Sequence, residues 1–194
     1  YSWSVVGSDV VGSGPTFVLT PATVSPDDEV VCTATVTDGS GTPVSGTDSV
    51  FVDNTLPTPD LVEITPDSGV TTASTLVCDA SFTDADGEVL TPSYRWTLGA
   101  DELGVESTLV LTPATVSPDD EVVCTATVTD GSGTPVSGAD SIFVDNTLPD
   151  VDFVEIVSDT DEVTIDSTLF CDAEFTDDDA EEMSVTYAWF VEDE

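Results

Sequence analysis

Apolar and polar side chains alternate with a period of two residues in several short segments of the chain. The clearest example is the segment 76–82, whose apolar face carries Leu76, Cys78, Ala80 and Phe82. Because successive side chains of a β-strand point to opposite faces, this segment is predicted to be a strand that is buried on one side. The same alternation predicts further strands within 122–129, 94–98 and 109–111.

Clusters of glycine, proline, aspartate and serine separate the alternating segments, as at 130–133. Such clusters favour turns over regular structure. No stretch of the chain shows the 3.6-residue period of an amphipathic helix. The pattern therefore predicts an all-β protein of short strands, which is typical of β-sandwich domains.

The strand pattern is repeated along the chain. Residues 18–57 match residues 110–149 except at two positions, where Thr47 corresponds to Ala139 and Val50 to Ile142. A second block, "STLVCDASFTDADGEVLTPSYRW", recurs in altered form ending at the third tryptophan, and the chain opens on a fragment of it, "YSW". The period of 92 to 93 residues is the size of a small domain.

This period predicts three copies of one domain. Residues 1–57 are the C-terminal part of a domain, 58–149 are a complete domain, and 150–194 are the N-terminal part of a further domain. We call these the first, central and last copies. We expect the chain to be a window from a longer tandem array.

The order Cys78, Trp96, Cys124 resembles the immunoglobulin fold. In that fold the cysteines of strands B and F form an inter-sheet disulfide, and the tryptophan of strand C packs on it. The tyrosine usual two residues before the second cysteine is Val122 here. The chain therefore resembles the Ig-like tandem repeats of bacterial and archaeal extracellular surface or filament proteins, with fibronectin type III and PKD-type sandwiches as close alternatives.

The resemblance implies tandem Ig-like β-sandwich domains, each with a B–F inter-sheet disulfide. The first copy would hold strands C to G, and the last copy strands A to C. Cys78 would pair with Cys124 in the central copy, whereas Cys32 and Cys171 would find partners outside this window or in a neighbouring chain. Paired cysteines imply an oxidising, extracellular compartment. The alternative is four reduced core cysteines.

The charge of the chain restricts its partners. There are 40 acidic residues against one basic residue, Arg95, which gives a net charge of −39. Nucleic acid and anionic membrane surfaces would repel such a protein, and no apolar run reaches the roughly 18 residues needed for membrane insertion. Screening salt or bound divalent metal would relieve the self-repulsion.

Catalysis has little support in the sequence. The chain has no histidine and no lysine, so the usual general bases and amine nucleophiles are missing. The cysteines are assigned to disulfides, and close carboxylate pairs are expected by chance among so many acids. We therefore expect no enzymatic activity.

Calcium is the one cofactor that the acidic pattern favours. The segment "TDADGE" offers Asp84, Asp86 and Glu88 at alternate positions in the predicted B–C loop. Calcium prefers closely spaced carboxylate oxygens, and the glycine allows a sharp turn. The last copy has "TDDDAEE" in the same place, with Asp177 and Asp179.

The linkers between copies add oxygen ligands at the same end of each predicted sandwich. Both linkers read "VDNTLP", which supplies Asp53 and Asn54 in one case and Asp145 and Asn146 in the other, and the predicted F–G loop adds Asp130. A calcium ion held between domains would resemble the cadherin arrangement and would stiffen the array. The alternative is that these are solvated acidic turns, because the full EF-hand pattern is absent.

Two functions of different classes remain open. The first is a structural repeat that forms a rod-like stalk or filament outside the cell, with neighbouring copies of the same repeat or chain as partners. The alternative is an adhesin-type binding module that recognises a glycan or a protein. Exposed aromatic residues would favour the adhesin, but all three tryptophans fall at the predicted core position of strand C.

Overall fold

The computed structural model describes residues 1–191, and within them it contains thirteen strands and no helix. The all-β prediction is confirmed. The strands are β1 Ser2–Val5, β2 Val10–Ser13, β3 Glu29–Thr37, β4 Pro43–Phe51, β5 Thr58–Thr65, β6 Thr75–Thr83, β7 Ser93–Leu98, β8 Asp101–Gly104, β9 Thr108–Val110, β10 Glu121–Thr129, β11 Pro135–Phe143, β12 Asp150–Ser158 and β13 Leu169–Thr176.

The strands form four sheets. The first copy contributes a four-stranded sheet in the order β2-β1-β3-β4. The central copy contributes a four-stranded sheet, β11-β10-β7-β8, and a three-stranded sheet, β5-β6-β9. The last copy contributes the two-stranded sheet β12-β13. The first and last copies therefore each hold only one of the two kinds of sheet that the central copy combines.

The predicted strand faces are confirmed in the central copy. On β10, Val122, Cys124, Ala126 and Val128 are buried, while the residues between them are partly exposed. On β6, Leu76 and Cys78 are fully buried, whereas Ala80 and Phe82 are half-buried. The two-residue period thus reports which side of each strand faces the interior.

A disulfide joins the two sheets of the central copy. Cys78 on β6 and Cys124 on β10 are bonded, with their Cα atoms 6.5 Å apart. Trp96, on the strand next to β10, is fully buried, and its indole N–H donates to the carbonyl of Glu106 at 2.8 Å. The pairing implied by the Cys-Trp-Cys order is confirmed, and Cys32 and Cys171 carry free thiols.

Identical sequence has different burial in the first and central copies. Val128 is 1% exposed, but Val36, which corresponds to it in the repeat, is 67% exposed. The first copy has no counterpart of β6 to cover this face, and residues 16–18, which correspond to β9, form no strand. In the last copy, the strand C expected around Trp189 is not formed, since residues 177–191 contain no strand.

Contacts divide the chain into two compact units. One unit consists of Tyr1–Val62, Ala80–Ser93 and Ala126–Gly138. The other consists of Glu63–Asp79, Tyr94–Thr125 and the chain from Ala139 onward, and it contains the disulfide. Among the residues that the structure describes, none lies in a helix long and apolar enough to cross a membrane.

Removing the disulfide should destabilise the central copy. The bridge spans a sequence separation of 46 residues, so the double change Cys78→Ala, Cys124→Ala should lower the free energy of unfolding by about 4 kcal/mol on the chain-entropy model. Denaturant unfolding of the dilute chain measures this. The matched control is Cys32→Ala, Cys171→Ala, which removes no bond. Equal destabilisation by the two pairs of changes would contradict the assignment.

Candidate metal centre

The candidate centre lies in the loop between β6 and β7. The Asp84 carboxylate accepts a hydrogen bond from the N–H of Asp86 at 2.7 Å, and the N–H of Gly87 donates to the carbonyl of Asp84 at 3.2 Å. Gly87 has a φ of +80°, which glycine adopts without a steric penalty. This tight turn directs alternate side chains of the loop toward one another.

The turn gathers three carboxylates. Asp84, Asp86 and Glu88 are each half-buried, and each offers an oxygen within 4.8 Å of the other two. Calcium binds oxygens at 2.3–2.6 Å, so two ligands on opposite sides of one ion are about 5 Å apart. The spacing therefore suits a single calcium-sized ion. The cluster could hold a metal ion, as the sequence predicted for these three residues.

Two of the oxygens in this cluster lack a hydrogen-bond partner. Asp84 Oδ2 and Glu88 Oε2 are buried and unpaired. A buried carboxylate oxygen without a donor is costly, because it has lost its water and gained nothing in exchange. The only basic side chain, Arg95, is paired with Glu102 instead. The donor set thus fits a divalent cation, whose charge and ligand preference would satisfy both oxygens.

Two other segments border the cluster. A Cβ placed on Gly131 would lie 3.0 Å from Glu88 Oε1, so the 130–134 loop backs the Glu88 side chain closely. The linker residue Thr55 donates both its N–H and its hydroxyl to Asp86 Oδ2, each at 2.7 Å. One oxygen of Asp86 is therefore already occupied by the linker.

Asn54 and Asp130, both predicted as calcium ligands, bond to each other. The Asn54 amide donates to Asp130 Oδ2 at 3.0 Å and to the carbonyl of Thr55 at 2.9 Å. The Ser132 hydroxyl, followed by the Asn54 amide, holds the pKa of Asp130 below its ordinary value. These two residues therefore tie the 130–134 loop to the linker beside the cluster and are not among the gathered carboxylates.

The remaining predicted ligands are not brought together. Asp53 and Asp145 are exposed, and neither belongs to the cluster. The Asn146 amide donates to the carbonyl of Thr147 at 2.7 Å. Asp177 forms the same local turn as Asp84, by accepting from the N–H of Asp179 at 2.8 Å. No second group of three gathered carboxylates occurs within residues 1–191.

Asp179 is used as a hydrogen-bond acceptor. Its Oδ2 accepts from the N–H and the hydroxyl of Thr147, at 2.6 and 2.7 Å, and its Oδ1 accepts from the hydroxyl of Thr72 at 2.8 Å. Asp179 and Thr72 are both buried. Both carboxylate oxygens are thus satisfied by protein donors, and the prediction of Asp179 as a metal ligand gains no support from this geometry.

The sequence analysis missed the threonines of the two linkers. Thr55 and Thr147 occupy the same position of the repeated segment "VDNTLP", and each donates twice to the aspartate at the same place in the following loop. We call this pair of bonds the linker clasp. The signal that could have revealed it was the recurrence of a threonine in a linker, where no strand requires one.

Comparisons with known proteins add nothing to the geometry of this site. No protein-family model matches this chain, and neither a curated protein nor a solved structure matches it.

The clasp should be visible in the titration of Asp179. The hydroxyl and then the N–H of Thr147, helped by the Thr72 hydroxyl, lower the pKa of Asp179, although burial opposes them. Since the pKa of the folded state is depressed, the clasp stabilises at pH values above the unfolded pKa of about 3.9, and this contribution is lost as the pH falls through the folded pKa. Carboxyl chemical shifts measured by NMR against pH should show the low value.

Removing one donor tests the cause of this shift. Thr147→Val should raise the pKa of Asp179 toward its ordinary value. The matched change at the other linker, Thr55→Val, should leave the Asp179 titration unchanged. A titration of Asp179 that is insensitive to Thr147→Val would refute the assigned cause.

Proposed function

We propose that this chain is a non-enzymatic structural repeat of an extracellular, rod-like stalk or filament made of tandem Ig-like β-sandwich domains. The observation that carries the proposal is the recurrence of the linker clasp at two successive junctions, Thr55 with Asp86 and Thr147 with Asp179. A junction that is repeated in sequence and in hydrogen bonding suits a role in which every domain performs the same mechanical task.

The clasp supplies stiffness where tandem domains are usually flexible. Short linkers leave domains free to move unless further contacts hold them. Two donors from one threonine to one carboxylate are charge-assisted bonds, which are stronger than neutral ones. Each clasp therefore restrains the linker directly before the next domain.

Extracellular exposure is supported by the cysteine chemistry. The Cys78–Cys124 disulfide belongs to an oxidising compartment, and it resists unfolding of the central copy under load. The net charge of −39 keeps such an array soluble and favours surroundings rich in salt or divalent cations.

Calcium is the cation that we assign to the Asp84, Asp86 and Glu88 cluster. Three carboxylates within reach of one ion, two of them with unpaired buried oxygens, form a hard oxygen site. Asp86 is also the acceptor of the first linker clasp, so an ion bound there would fix the clasp and the loop together. Bound calcium would stiffen this junction.

The absence of histidine and lysine from the sequence supports a non-enzymatic role. For the alternative adhesin function, Trp96 is fully buried and offers no surface on which a sugar could stack, whereas Trp189 in the last copy is 53% exposed.

Calcium binding should depend on Glu88 and not on its counterpart. Glu88→Gln removes a charged ligand and should weaken calcium binding by about tenfold or more, whereas Glu181→Gln, at the same repeat position, should have no effect. Isothermal titration calorimetry measures both, and limited proteolysis with and without calcium reports the stiffening. Equal effects of the two changes, or no calcium binding by the unaltered chain, would contradict the assignment.

Electron microscopy tests the structural role itself. Images of the native assembled material should show regular rods or filaments whose axial repeat matches one or two domains, and a calcium chelator should soften them. Isolated particles without any axial repeat would contradict the proposal.

A further inference from the structure

A buried turn of the central copy contacts the junction that follows it. The turn lies in the segment 70–74, and within it Val70 and Thr72 are both fully buried. The carbonyl of Val70 accepts a hydrogen bond from the N–H of the linker residue Asp145 at 2.6 Å. The hydroxyl of Thr72 donates to Asp179 Oδ1 at 2.8 Å, across a sequence separation of 107 residues. This turn therefore binds both the linker and the acidic loop of the last copy.

The start of the linker is fastened to the central copy at a second place. The N–H of Val144 donates to the carbonyl of Asp120 at 2.9 Å, and the carbonyl of Val144 accepts from the N–H of Asp119 at 2.8 Å. Val144 itself is 1% exposed. The linker is thus held at two successive residues before Thr147 reaches Asp179.

Thr72 closes a ring of hydrogen bonds around the junction. Asp145 binds Val70, Thr147 binds Asp179, and Thr72 binds Asp179 directly. Without the bond from Thr72, the ring would join the acidic loop to the linker alone. With that bond, the loop is also joined to the central copy. The linker therefore cannot leave its place without breaking bonds on both of its sides.

The carboxylate in this ring makes partial opening costly. Asp179 is 5% exposed, and its two oxygens accept three hydrogen bonds, two from Thr147 and one from Thr72. The one basic residue of the chain, Arg95, is bonded to Glu102 instead. A buried charged group that loses a donor is destabilised more than a neutral group would be. Loss of the Thr72 bond should therefore weaken the whole ring.

The turn itself does not require the hydroxyl of Thr72. The counterpart of Thr72 in the last copy is Ile165, which has no hydroxyl. Both copies nevertheless form the same turn, in which the N–H of the preceding residue, Thr71 or Thr164, donates to a serine hydroxyl three residues further on at 2.9 Å. The contact with Asp179 thus accounts for the buried hydroxyl of Thr72, and the local turn does not.

We propose that Thr72 couples the folding of the central copy to the closure of the junction that follows it, so that the linker and the acidic loop open only when the central copy unfolds. The inference rests on the junction in the proposed function and names what holds that junction closed. The coupling is reciprocal, because a contact that stabilises the closed junction also stabilises the folded central copy. An array with this coupling would lose a joint only by losing the domain before it.

Native-state hydrogen exchange of the whole 194-residue chain tests this coupling. The exchange rates are measured at several denaturant concentrations below the unfolding midpoint. Amides that open locally exchange at rates that barely depend on denaturant, whereas amides that open by unfolding accelerate with it. The N–H groups of Asp145 and Thr147 report on the junction, and the amides of 122–125 on β10 report on the central copy. All of them should show one common denaturant slope.

Removing the hydroxyl of Thr72 should separate the junction from the central copy. Thr72→Val keeps the branched shape of the buried side chain but leaves Asp179 Oδ1 without this donor. Exchange of the Thr147 N–H should become about tenfold faster or more and lose its denaturant dependence, because the lost bond was made to a charged acceptor. The amides of 122–125 should keep their steep slope. Thr72→Ser, which retains a hydroxyl, should restore the slope at Thr147.

A neighbouring threonine supplies the matched control. The hydroxyl of Thr71 lies 3.4 Å from the hydroxyl of Ser74 and accepts from the N–H of Ala73 at 3.4 Å, so its hydrogen bonds stay within the turn. Thr71→Val should therefore leave the denaturant slopes of Asp145 and Thr147 unchanged. Equal effects of Thr71→Val and Thr72→Val would overturn the proposal, since they would show only a general loosening of the turn.

Weakening the central copy at a distance tests the coupling in the other direction. The double change Cys78→Ala, Cys124→Ala removes the disulfide and alters no residue of the hydrogen-bonded ring. If the junction opens only with the central copy, the N–H groups of Asp145 and Thr147 should exchange faster by the same factor as the amides of β10. Junction amides that keep their original rates in this variant would overturn the proposal.

Failure of this inference is distinguishable from failure of the proposed function. If Asp145 and Thr147 are protected in the unaltered chain but do not respond to Thr72→Val, the linker clasp stands and only the coupling is overturned. If both amides exchange as fast as those of an unstructured peptide, the clasp itself is absent. The coupling is then overturned together with the observation that carries the proposed function.

Discussion

Covering the apolar face of each strand is the constraint on which this structure depends. Strands such as β6 and β10 are apolar on one side, and such a strand is stable only when another sheet removes that side from water. In the central copy, the Cys78–Cys124 bridge ties the three-stranded sheet to the four-stranded sheet. The strands that lack a covering sheet, in the first and last copies, keep their register but expose residues that are core elsewhere.

The strands and turns were predictable because their causes are local. A two-residue period identifies the inward face wherever it occurs, and the central copy buries the residues that this period selects. Turns behave alike in both copies. Asp27 and Asp119, at the same repeat position, have φ values of 65° and 67°. The N–H of Asp27 donates to the carbonyl of Val52, and the N–H of Asp119 donates to the carbonyl of Val144. These turns form in both copies because they depend on the local sequence and not on what packs against it.

The candidate site was only partly predictable, because its causes are distant in sequence. The acidic loops of the central and last copies are alike in sequence, yet within residues 1–191 only Asp84, Asp86 and Glu88 are gathered into a cluster. We attribute the difference between the two acidic loops to the 130–134 loop, which packs closely against Glu88. The last copy has no equivalent of that loop within this chain. The sequence analysis missed Thr55 and Thr147 for a related reason. Nothing in the sequence around either threonine indicates that it donates hydrogen bonds to an aspartate that is distant in sequence.

Amide hydrogen exchange of the dilute, monomeric chain tests the central claim most directly. Residues 30–36 and 122–128 are identical in sequence and lie in equivalent strands, so they differ in what covers them and in their cysteine, which is free at Cys32 and bridged at Cys124. The account predicts that the amides of 122–128 exchange orders of magnitude more slowly, because they open only when the central copy unfolds. Equal exchange in the two segments would show that the strands are stable without a covering sheet, and would contradict the account.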